Sequence, residues 1–170
     1  MEGWKEVALI DLAQYINGFA FKPADWNTDG LPIIRIEQLK NPKSVSDFCS
    51  FSIPEYNIIN NGDLIFSWSG TLMIDFWVGG KGGLNQHLFK VTSKKFKKWF
   101  YYLATKFHLD EFIRIADGNK TSLGHIKREH LENAIVFIPE ENQLIYFDGS
   151  MKILIENLIN IKKETKKRIS

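Results

Sequence analysis

Residues 140–170 constrain this chain more than any other stretch. Leu144, Phe147, Met151, Leu154, Leu158 and Ile161 recur at alternating spacings of three and four, which is the a/d seam of a coiled coil. Lys162, Lys163, Lys166, Lys167 and Arg168 occupy the closing turns, where positive charge complements the negative end of the helix dipole. A helix of about 28 residues rises roughly 42 Å. A small globular body would not cover such a rod. The expectation is therefore a helix paired with another, between chains or between domains. A helix buried in its own core would show the same spacings, and that alternative stays open.

The rest of the chain has the means to form a core. Apolar residues make up 44% of the 170 positions, with 13 Phe and 5 Trp, so disorder is a poor reading. The net charge is only +2; contact with a polyanion would have to come from local patches rather than a global field. Cys49 is the sole cysteine and suits a reducing compartment. Residues 1–10 carry Glu2, Lys5 and Glu6 instead of a signal-peptide apolar run. No uninterrupted apolar stretch approaches the ~20 residues of a membrane span. A cytoplasmic chain with no membrane association is expected.

Periodicity predicts an α+β arrangement. Residues 7–16 read as a short strand or helical turn stopped by Asn17-Gly18. Residues 32–39, 63–69 and 84–92 are β-branched or aromatic and bounded by turn formers, so they read as strands. Phe96, Trp99, Phe100, Leu103, Phe107, Phe112 and Ile115 predict a helix over 94–116. A short helix near 127–132, a strand over 134–138 and the long terminal helix complete the pattern. A globular body over 1–139 and a spacer or dimerisation helix over 140–170 follow.

Motifs for catalysis are missing from the sequence. It has no Gly-x-x-x-x-Gly-Lys-Ser/Thr loop, no Gly-x-Gly-x-x-Gly fingerprint, and no Gly-x-Ser-x-Gly elbow at Ser67-Trp68-Ser69-Gly70. His125 and His130 are five apart, so on a helix they face different ways. His87 and His108 read as ordinary structural or surface histidines. The acidic-x-Lys match, Glu164-Thr165-Lys166, lies in the terminal helix and cannot organise a nuclease centre. An Asn/Asp-Pro-Pro-Tyr/Phe stretch for holding a target base is also absent.

Six blocks in order carry a family resemblance. They are Trp4-Lys5-Glu6-Val7 through Gly18, Leu31-Pro32-Ile33-Ile34-Arg35-Ile36, Gly62-Asp63-Leu64-Ile65-Phe66-Ser67 through Thr71, Leu84-Asn85-Gln86-His87, Gly118-Asn119-Lys120-Thr121-Ser122-Leu123 through Ile126, and Ile135 through Pro139 with Gln143. Together with the terminal helix, they resemble the target-recognition half of type I restriction-modification specificity subunits. Two departures stand out. This chain carries one recognition body and one long helix where members usually carry two of each, and Pro139-Glu140-Glu141-Asn142-Gln143 replaces the usual proline pair. The single copy implies a half-size subunit or half of a longer one. If the chain is complete, a homodimer with antiparallel terminal helices would restore the two-fold arrangement.

The resemblance implies sequence-specific binding of double-stranded DNA without chemistry in this chain. Methyltransferase subunits, and restriction subunits with them, would be the partners. S-adenosylmethionine, Mg²⁺ and ATP would reside only there. Paired helices would hold two reading bodies apart, and a rod of roughly 42 Å exceeds the ~34 Å of one DNA turn, so a bipartite target is natural. Candidate DNA contacts are Arg35, Gln38 and Lys40 after the first core strand, Ser69 and Thr71, Lys81 in a glycine loop, and the Asn85, Gln86, His87 run. Lys120, Thr121 and Ser122 with Lys127 and Arg128 form the best phosphate cluster. Asn and Gln can bind adenine bidentately. Each group also has a plainer role as turn chemistry, a bridge between loops, or a solvated face. Other readings are a recognition module of a fused restriction-methyltransferase, a coiled-coil protein adaptor, and a stand-alone nuclease.

Overall fold

A computed structural model describes residues 3–118 and 124–168, and the fold is α+β. The strands are β1 (Lys5–Ala8), β2 (Gln14–Asn17), β3 (Leu31–Ile34), β4 (Phe48–Cys49), β5 (Ile58–Ile59), β6 (Leu64–Ser67), β7 (Met73–Phe76), β8 (Gly82–Leu84), β9 (Leu88–Thr92) and β10 (Ile135–Ile138). The helices are α1 (Leu9–Leu12), α2 (Ile36–Lys40), α3 (Lys98–Phe107), α4 (Leu109–Gly118), α5 (Arg128–Asn133) and α6 (Glu141–Arg168).

Strand β6 explains how the layers stack. All of its residues are buried, and successive side chains of a strand face opposite ways. Leu64 and Phe66 enter the main core with Val91, Phe100, Phe112 and Leu131. Ile65 enters a second core with Ile34, Trp77, Leu84 and Leu88. The sheet ordered β2-β9-β6-β7 is thus covered on one face by helices and on the other by the sheet ordered β4-β3-β8-β5. Register is antiparallel except between β3 and β8, which run parallel with Ile33 opposite Gly83. β1 pairs with β10 and brings the two ends of the globular body together.

Local hydrogen bonds account for the places where the structure departs from periodicity. The strand expected over 32–39 stops at Ile34, because the Gln38 side-chain oxygen accepts the Arg35 backbone N–H at 2.9 Å and starts α2. The strand expected over 84–92 is broken by a turn in which Asn85 Oδ1 accepts the His87 N–H at 3.3 Å. Gly18 packs against that turn, where a Cβ would run into the Leu84 and Asn85 carbonyls. The helix expected over 94–116 begins only at Lys98, since Ser93 Oγ accepts the N–H groups of Lys95 and Phe96. It then resets at buried His108, whose Nε2 lies 3.0 Å from the Ile135 carbonyl oxygen.

Helix α6 spans 28 residues as the spacing predicts, but it does not stand clear of the body. Leu144, Met151, Leu158 and Ile159 pack against the main core, and Ile155 is 8% exposed within it. Burying one such side chain contributes about 1.5–3 kcal/mol. Asp148 accepts the Trp99 indole N–H at 3.0 Å, and Lys162 reaches Asp75 and the Phe76 carbonyl. The expected seam is therefore divided. Its Leu144, Met151 and Leu158 positions face the chain's own globule, while Phe147, Leu154 and Ile161 are 51%, 58% and 63% exposed. Among the described residues, no helix is long and apolar enough to cross a membrane.

Candidate nucleic-acid interface

Three separate segments converge beside Trp68. The β6–β7 loop turns at Gly70, whose φ of +71° suits glycine. Residues 124–126 are stitched to that loop: Gly70 N–H donates to the Gly124 carbonyl at 2.9 Å and Ile126 N–H to the Trp68 carbonyl at 3.0 Å. The β8–β9 turn joins them because the Trp68 indole N–H donates to the Gln86 carbonyl at 3.2 Å. The Trp68 ring lies 5.8 Å from the rings of His87 and Phe89 and 6.3 Å from that of His125. Trp68, Phe89 and His125 form the aromatic side of a groove whose basic side is Lys127 and Arg128.

This geometry sorts the candidates. Ser69, Thr71, Gln86 and His87 come together on these loops, with Lys127 and Arg128 on the flank. Lys40 joins them from α2 by donating to the Thr71 hydroxyl at 2.8 Å. Lys127 and Arg128 are paired at the surface with Glu129 and Glu132 at 3.6 and 3.4 Å. Exposed pairs of this kind contribute only about 0–1 kcal/mol, so a phosphate can displace the carboxylates.

Two of the candidate base readers must be corrected. Gln38 is 3% exposed. Its amide is consumed at both ends, by the Arg35 N–H and by donation to the Val45 carbonyl at 2.8 Å. Asn85 is 6% exposed and its side-chain oxygen holds the turn. Both shape the loops from within. Arg35 is occupied as well, with a 2.7 Å ion pair to Asp47 and its guanidinium 5.1 Å from the Trp26 ring centre. Lys81 is exposed but lies at the opposite end of β8 from the Asn85–His87 turn. Lys120, Thr121 and Ser122 fall outside the described residues.

Trp68 and His125 join the site although composition and spacing do not single them out. A tryptophan leaving a fully buried strand straight into Ser-Gly-Thr is the signal that could have found Trp68. His130 accepts the Lys127 N–H at 2.9 Å and caps α5, a structural task. Among the described residues, no group of three or more His, Cys, Asp or Glu is placed to hold a metal ion.

With this geometry in place, comparison with known proteins identifies the family. The chain belongs to the family described as type I restriction modification DNA specificity domain, which matches residues 1–170. The type I restriction enzyme EcoBI specificity subunit of Escherichia coli is 28% identical over 142 residues, covering 81% of this chain and 29% of that protein. The MjaVIII specificity subunit of Methanocaldococcus jannaschii is 27% identical over 182 residues, covering 99% of this chain and 42% of that protein. The chain therefore spans less than half the length of these curated relatives. The type I restriction-modification S subunit from M. genitalium shares the fold with a TM-score of 0.62 at 11% identity, over 98% of this chain and 42% of that one. The HsdS subunit from Thermoanaerobacter tengcongensis gives 0.56 at 16% identity, over 98% and 41%.

Proposed function

We propose that this chain is a DNA-reading module of a type I restriction-modification specificity subunit, one that supplies the address and leaves the chemistry to partner subunits. The carrying observation is the convergence of the β6–β7 loop, the β8–β9 turn and residues 124–128 on one face at Trp68. His87 is the exposed base-reading side chain of the turn, with Gln86, whose amide oxygen is buried, beside it. Lys40, Lys127 and Arg128 contact phosphates, which set position and carry no sequence information themselves. Buried Gln38 and Asn85 hold the loops at the right height.

While Ile161 lines the groove between α6 and α2, the outward stripe of α6 through Phe147 and Leu154 pairs with a second helix. That helix comes from another copy running antiparallel or from a second half of the same subunit. The pairing sets two half-sites at a fixed spacing and gives a bipartite target. Methyltransferase subunits dock on this frame and carry the S-adenosylmethionine, and restriction subunits carry Mg²⁺ and ATP. The function is exercised in the cytoplasm, where host DNA is found.

An electrophoretic shift selection on a randomised duplex library, with the methyltransferase partner present, tests this reading. Enrichment of a bipartite motif is expected. Enrichment of nothing above background would overturn it, and Mg²⁺-dependent cleavage by the chain alone would favour a nuclease instead.

A further inference from the structure

Against a net charge of only +2 for the chain, one groove gathers Lys40, Lys43, Lys162 and Lys166, with Asn41 and Thr165 between them. It lies where the end of α2 meets the last turns of α6, over an apolar floor of Val78 and Ile161. Among the described residues, no carboxylate lines it. Lys162 is held by Asp75 and the Phe76 carbonyl, and Lys40 is held by the neutral hydroxyl of Thr71. Like charges gathered in one cleft repel, and bound anions relieve that repulsion.

We propose that this lysine groove seats the phosphate backbone of duplex DNA beyond the bases that the Trp68 loops read. The proposal rests on the DNA-reading function and adds a second contact area, on α6 itself. Continuity decides the occupant: the Lys40–Thr71 bond joins the groove directly to the β6–β7 loop. A duplex lying on that loop continues as a stiff rod carrying one negative charge per ~1.7 Å. The next cationic surface along its path therefore meets its backbone. The groove has the Asn41 amide NH2 to donate to phosphate oxygens, since the Asn41 oxygen accepts the Lys43 N–H and the Thr165 hydroxyl donates to the Ile161 carbonyl. It has no aromatic ring among its described lining residues, so it contacts backbone and does not read bases. In this arrangement α6 positions the DNA as well as separating the two reading bodies.

The test uses the full chain with its methyltransferase partner and the selected duplex in two lengths, one ending at the target and one extended by about one helical turn of ~10 base pairs on each side. Fluorescence anisotropy is followed against salt for the unmodified chain, Lys43→Gln, Lys43→Glu and the double variant Lys43→Gln/Lys166→Gln. On the extended duplex the double variant should lower the slope of log affinity against log salt by about 1.8, at ~0.9 per lost phosphate contact. Lys43→Glu should weaken binding more than Lys43→Gln. The short duplex should give unchanged slopes, and the selected motif should stay the same. Lys43 is exposed in a turn, so its variants fold whatever becomes of Lys166. An unchanged slope on the extended duplex, or equal losses on both lengths, would overturn the groove while leaving the DNA-reading function intact. Failure of the unmodified chain to bind either duplex would overturn both.

Discussion

The Trp68 indole N–H donates to the backbone carbonyl of Gln86 at 3.2 Å, tying a loop on one side of β6 to a turn that begins β9. Side chains on two independently connected segments can present one surface only if the segments are held in register. This bond does that, and the tilted ring contacts of Trp68 with Phe89 and His87 add to it.

Trp68→Phe keeps an aromatic ring and removes the donor. It should cost about 1 kcal/mol of folding stability, the usual net value of one hydrogen bond, measured by urea unfolding. DNA affinity should fall along with stability, because the Gln86–His87 turn loses its anchor. Full DNA affinity in this variant would show that the two loops are aligned by something else.

Gln38→Ala should cost about 1–3 kcal/mol, because it leaves the Arg35 N–H and the Val45 carbonyl without their partner. Its DNA motif, determined by selection, should match that of the unmodified chain. A changed base preference would return Gln38 to the reading surface.

The divided seam of α6 predicts two separable phenotypes. Leu154 is 58% exposed, so Leu154→Glu should alter folding stability by no more than about 0.5 kcal/mol while shifting sedimentation velocity profiles toward monomer. Ile155 lies in the core, so Ile155→Ala should cost about 2–5 kcal/mol. Loss of stability in Leu154→Glu, or no change in association, would refute this division of faces.

Two buried phenols give the chain an alkaline limit. Burial, with the Asp63 charge adding to it, pushes Tyr101 up to about 12. Burial pushes Tyr15 higher still, against the opposing hydrogen bond with Thr105. Unfolded tyrosine titrates near ~10. Below that pH both states keep the proton and stability is complete. Above it only the unfolded chain ionises, so stability is lost as pH rises towards the folded values. Melting temperature followed from about pH 8 to about pH 12 should fall steeply above ~10, and Tyr15→Phe should make the fall shallower. An equal slope in that variant would remove Tyr15 from the account.

Much of this is legible in the residues, and the exceptions share a cause. The spacing of Leu144 through Ile161 gives α6 its length, because helical period is a local property. It does not say which half of the stripe faces inward; that depends on Trp99, Phe76 and Gly62 arriving from elsewhere in the chain. Gln38 and Gln86 look alike in sequence, each a glutamine just beyond an apolar run. They part company in their partners: Gln38 is buried between the Arg35 N–H and the Val45 carbonyl, whereas Gln86 is half-buried with its amide oxygen buried and unpartnered. The interruptions at Ser93, Arg35 and Asn85 come from side-chain-to-backbone bonds, which competed successfully with the periodic pattern.

The most direct test of the central claim repeats the duplex selection with a chain carrying Gln86→Ala and His87→Ala. If the turn held by Trp68 reads bases, preference should relax at one or two adjacent positions of one half-site, while the other positions and the half-site spacing persist. An identical motif recovered at identical enrichment would contradict the assignment of base reading to this surface.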